Sequence, residues 1–86
     1  MNGHRVADGE MRGESCFRPG AYGRVMSDGE WTWYACTPNG HLGNLGAHDV
    51  TEHDDGTITV SPSIRVSDGT GELWHGYLER GVWRLA

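Results

Sequence analysis

Cysteine and histidine are the residues of this chain best suited to chemistry, and the most suggestive spacing joins Cys36 to His41 across Thr37-Pro38-Asn39-Gly40. Thiolate and imidazole are good zinc ligands, and a turn of this kind brings both to one ion. A structural zinc site needs two further ligands, for which the chain offers His75, His48, His53, Glu72 and Cys16. His48 and His53 fall on opposite faces of the strand expected there, so they are poor joint ligands unless that strand is bulged. A cysteine beside a histidine also has the makings of an activated nucleophile. An inert or metal-bound cysteine is the preferred reading. Asp54-Asp55 precedes Gly56 and reads as turn chemistry rather than as an acid–base pair. Residues 40–46 are rich in glycine but lack the lysine and the helix of a phosphate loop. No catalytic residue is assigned.

Trp31, Trp33, Trp74 and Trp83 are many for 86 residues. They serve either to fill the core or as interface anchors, since tryptophan and arginine are enriched where proteins dock.

The elements that must position these groups are read from composition and period. Apolar residues make up 36% of the chain, and 14 residues are glycine. A chain this short buries roughly 60–65% of its unfolded surface. A thin core of that kind calls for a metal, a disulfide or a second copy of the chain. The seven basic residues are all arginine, and the net charge is −5. This balance argues against binding a nucleic acid backbone, which requires a basic patch. No apolar run is long enough for a membrane span or a signal peptide, which predicts an intracellular protein. That setting argues against a disulfide between Cys16 and Cys36.

The pattern predicts an all-β fold, a small antiparallel meander or partly open barrel of hairpins. Residues 1–30 are expected to form a loop-rich N-terminal arm, with one strand over 21–26, and residues 31–86 the antiparallel β domain. Trp31 to Cys36 reads as a strand with Trp31, Trp33 and Ala35 on one face and Thr32, Tyr34 and Cys36 on the other. Ile58, Val60, Pro62, Ile64 and Val66 recur at every second position, the period of a half-buried strand. Pro62 donates no hydrogen bond, so this strand is an edge or is bulged there. A three-residue loop, Asp54-Asp55-Gly56, sets Val50 opposite Val60 and keeps the apolar face together. By the same logic Glu79-Arg80-Gly81 is expected to pair Leu78 with Val82 and Tyr77 with Trp83.

Residues 31–85 contain the strand Thr57-Ile58-Thr59-Val60-Ser61-Pro62-Ser63-Ile64 and the hairpin Trp74-His75-Gly76-Tyr77-Leu78-Glu79-Arg80-Gly81-Val82-Trp83. The stretch resembles small uncharacterised proteins of actinobacterial phages, and a wider phage and bacterial domain that shares the Pro-Ser-Ile strand. The resemblance brings no activity with it. It implies a metal site, with the first ligand pair falling on Cys36 and His41 and the second on Glu72 and His75. Glu72 stands where the wider domain has cysteine, and carboxylate is a rarer structural zinc ligand. The resulting expectation is a phage-encoded, non-enzymatic protein-binding module, stabilised by zinc and acting on a host or phage protein, host defence proteins included. One alternative is a virion component such as a capsid or tail accessory protein. Another is a metal-dependent hydrolase or a nucleotide-binding module. The expected location is the cytoplasm of the infected host or the virion.

Overall fold

A computed structural model describes residues 1–11 and 18–86. The described chain is all strand: β1 His4–Arg5, β2 Ala21–Ser27, β3 Glu30–Cys36, β4 Leu42–Asn44, β5 Asp49–Glu52, β6 Ile58–Asp68, β7 Gly71–Glu79 and β8 Val82–Leu85. They form two four-stranded sheets, ordered β1-β2-β3-β4 and β5-β6-β7-β8. All pairings are antiparallel except that of β1 with β2. Sequential antiparallel strands follow from short turns with glycine at left-handed positions. The sheets do not close into a barrel. Among the described residues no helix is long and apolar enough to cross a membrane.

The period-two reading of β6 holds at Ile58, Val60 and Ile64 but not at Pro62, which is exposed. Ile58, Val60 and Ile64 are buried. The register shifts between Val60 and Ile64, so the strand is bulged at Pro62. Val50 pairs with Val60 as expected. The loop between them is closed by the His53 and Gly56 amides, with Gly56 at a φ of 86°. The last hairpin corrects the expected register by one residue. Leu78 pairs with Trp83 and Glu79 with Val82, around a two-residue turn in which Arg80 and Gly81 have φ of 46° and 76°. Two consecutive left-handed residues give the turn whose twist matches that of the flanking strands. This register turns both Leu78 and Trp83 inward, whereas the expected one would have buried Val82, which is 44% exposed.

The main core lies between the sheets. Tyr22, Ala35 and Leu45 meet Ile58, Val60, Ile64, Trp74, Leu78 and Trp83, with Trp33 packed at the margin. Trp74 and Trp83 meet edge to face, their ring centroids 5.2 Å apart. The Trp83 indole donates to the Gly20 carbonyl at 3.0 Å, satisfying its polar end across the sheets.

The alternation in β3 is as read. Ala35 joins this core, while Cys36 and Tyr34 belong to a second cluster with Val6, Met11 and Ala21. The N-terminal segment is therefore built into the fold. Residues 1–3 lie along β8 through Asn2 and Val82, and residues 4–5 along β2. Val6 and Met11 then cover the far face of the first sheet. One extended segment thus ties the two sheets together. It also leaves the outward side of the second sheet as the face that no other element described covers.

Candidate functional site

The two-residue turn Asp28-Gly29 places Arg24 opposite Trp33 and Met26 opposite Trp31. Side chains opposite one another on a sheet face must interact. Here they form a ladder on one face of β2 and β3. The Arg24 guanidinium lies 4.1 Å from the Trp31 ring centroid and 5.8 Å from that of Trp33. Arg5 lies 4.9 Å over Trp33. Stacking of a guanidinium on an indole face is favourable because the ring quadrupole presents negative charge there.

Carboxylates complete the array. Asp8 accepts from Arg24 Nε and Nη2, at 3.0 and 3.1 Å, and from Arg5 at 3.2 Å. Its pKa lies below the ordinary aspartate value, mainly through the hydrogen bond from Arg24. Arg5 also reaches Glu52 of β5 at 2.8 Å and the Gly56 carbonyl at 2.9 Å. The ladder therefore bridges both sheets and the N-terminal segment, and it fixes the indole of Trp31 from one side.

Trp31 also borders a hollow of about 330 Å³, shared with Trp33, Leu45, His48 and Val50. Trp31 is 43% exposed and its cross-strand neighbour Met26 is 51% exposed. His48 adds a polar feature. Its Nε2 bonds the Ser63 carbonyl at 3.1 Å, and its Nδ1 is buried with no partner among the described residues. A carbonyl only accepts, so Nε2 carries a proton in this bond.

The residues expected to hold zinc are placed otherwise. Cys36 is fully buried and disulfide-bonded, so it has no thiolate to offer a metal. This also overturns the argument against a disulfide. Cys16, the chain's other cysteine, lies outside the described residues. The turn from Cys36 to His41 is closed by hydrogen bonds between its own residues. The Thr37 amide donates to the His41 carbonyl at 2.8 Å, and the His41 amide donates to the Thr37 hydroxyl at 2.9 Å. Glu72 and His75 do come together, with Oε2 4.0 Å from Nδ1, but Glu72 is also held by Arg65 at 3.0 Å. His75 Nε2 faces the Ser63 hydroxyl at 2.9 Å. His53 bonds the Thr59 hydroxyl at 2.7 Å. Among the described residues no three histidine, cysteine, aspartate or glutamate side chains form a metal-binding group.

The interface candidates divide. Trp74 and Trp83 are 6% and 3% exposed and belong to the core, so neither has a free face for a partner. Trp33 is half-buried beneath the arginines. Trp31 keeps an accessible ring. Sequence reasoning missed Arg5, Arg24, Asp8, Glu52 and Ser63. The Asp28-Gly29 turn already carried the signal for Arg24, because it sets the register with β3.

Comparison with protein-family models, with curated proteins and with solved structures found no match.

Proposed function

We propose that the chain is a phage-encoded protein-binding module that docks a host or phage protein at the hollow beside Trp31. The observation that carries this reading is an exposed indole immobilised by Arg24 on the rim of a hollow. Holding an aromatic anchor rigid before binding lowers the entropy lost on association. A net charge of −5 leaves a protein surface the better-matched partner than a nucleic acid.

The disulfide at Cys36 favours one version of this reading, an accessory protein of the virion. Disulfides persist on virion surfaces and in other oxidising settings, and are rare in cytosol.

A photoreactive aromatic residue at position 31 tests the proposal. Exposed to purified particles or infected-cell lysate, it is expected to crosslink to one predominant protein. The same residue at position 69, on a hairpin tip, is expected to give none of that product. Equal crosslinking from both positions would refute the docking site. Recovery from particles rather than lysate would identify the virion version.

A further inference from the structure

The outward face of the second sheet carries an arrangement that the docking reading does not use. The bulge between Val60 and Ile64 shifts β6 out of step with β7. It leaves Ser63 at the edge of a cavity of about 380 Å³, also lined by Pro62, Tyr77 and Arg84. Bulges re-aim side chains and recur beside active sites for that reason. Ser63 is held at two atoms. Its carbonyl accepts from His48 Nε2 at 3.1 Å, and its hydroxyl lies 2.9 Å from His75 Nε2. The other ring nitrogen of His75 faces Glu72 Oε2 at 4.0 Å, and Arg65 anchors that carboxylate at 3.0 Å.

We propose that Ser63 is a nucleophile, with His75 as its general base and Glu72 as a positioning residue, for the hydrolysis of small acyl esters. The order of contacts carries the assignment. A carboxylate on the Nδ1 side favours the proton there and leaves the Nε2 lone pair directed at the serine hydroxyl. Nucleophile, base and orienting group in this sequence are what activates an otherwise weak alcohol. The 4.0 Å separation of Glu72 from His75 is longer than a hydrogen bond. Such contacts are commonly loose until substrate binds. Arg84 lines the same cavity, stacked 4.6 Å from the Tyr77 ring centroid and ion-paired with Glu79. The cavity is near the lower end of the range for small-molecule sites, which sets the substrate class.

The step balances without a further reagent. The Ser63 oxygen bonds to the ester carbonyl carbon as its proton passes to His75 Nε2. The bond to the leaving alcohol breaks, and that alcohol takes the proton from His75. Water, deprotonated by the same imidazole, then attacks the acyl-serine. The acid departs and the Ser63 hydroxyl is restored.

The test is labelling of the whole protein with a fluorophosphonate probe, with the adduct located by mass spectrometry. One adduct at Ser63 is expected, absent in Ser63→Ala and unchanged in Ser61→Ala. His75→Gln should slow labelling at least tenfold. Glu72→Gln should slow labelling severalfold with the melting curve unchanged, and Glu72→Asp should restore part of that rate, which a purely structural role would not do. Turnover of p-nitrophenyl acetate should fall in parallel. Adducts spread over several serines would overturn the proposal, as would a Ser63 adduct indifferent to His75→Gln. Ester hydrolysis that persists in Ser63→Ala is free imidazole chemistry and would overturn it too. Mapping the adduct on the native chain decides the nucleophile even if a variant fails to fold.

Discussion

Gly76 is the position where one added methyl group should be felt most. It sits in β7 on the inward face, opposite Ile64 on one side and Leu85 on the other. A Cβ there would run into the Arg84 carbonyl oxygen of β8 and the indole of Trp74. Neither neighbour can yield cheaply. The carbonyl belongs to the backbone of a paired strand, and Trp74 is wedged against Trp83 at the centre of the core. Overpacking of a well-filled core costs about 1–3 kcal/mol. A clash with backbone places Gly76→Ala at the upper end, about 3 kcal/mol. For a domain of this size that is a fall in melting temperature of roughly 12–24 °C. Gly69→Ala is the control, because nothing lies within 4 Å of its added methyl group. Removing that glycine's freedom in the unfolded chain should leave stability unchanged or raised by up to about 1 kcal/mol. Thermal and urea unfolding of both variants, followed by tryptophan fluorescence, provides the assay. A Gly76→Ala protein that melts within about 3 °C of wild type would refute the packing described for Trp74.

Acid should unfold the protein partly through its hairpin tips. Asp55 and Asp68 each accept from a threonine hydroxyl two residues on, at 2.6 Å in both cases. These hydrogen bonds hold both carboxyls below the ordinary aspartate value of 3.8. A depressed folded-state pKa contributes stability above the unfolded value and loses it as pH falls through the folded one. The double variant Asp55→Asn, Asp68→Asn should therefore show a flatter stability profile below pH 3.8 than wild type. Equal slopes in acid urea titrations would contradict this. The disulfide makes a separate prediction. Denatured, unreduced protein should take up no thiol reagent, and reduction should lower stability by about 2–4 kcal/mol. One free thiol per cysteine before reduction would exclude the bond at Cys36.

Local pattern carried much of the fold. The alternation from Ile58 to Val66 and the Asp54-Asp55-Gly56 loop sufficed to place Val50 opposite Val60, because any other register exposes the apolar face. The same rule failed at Arg80-Gly81. Each register offers Leu78 an apolar partner, Val82 in one and Trp83 in the other, and an arginine at positive φ gives no warning in its type. The N-terminal segment was opaque because Val6 and Met11 find their partners in strands far along the chain. The disulfide was missed because an argument from compartment outweighed the simple presence of two cysteines.

The functional groups were less legible than the strands. Tryptophan count pointed to an interface, and burial then removed Trp74 and Trp83 from it. Which indole stays exposed depends on the bridge that Arg5, Arg24, Asp8 and Glu52 build between elements distant in sequence. The contact of Ser63 with His75 depends on a bulge whose position Pro62 suggests but whose side-chain directions it does not fix.

The most direct test of the docking account is the affinity of the crosslinked partner for wild type and for Trp31→Ala, measured by titration calorimetry on proteins with matched melting curves. Trp31 lies at the rim of the hollow and is 43% exposed, so its removal should leave the core intact. An aromatic anchor at an interface is worth about 2 kcal/mol or more, so affinity should fall at least about thirtyfold. A folded Trp31→Ala protein that binds the partner as tightly as wild type would contradict the account.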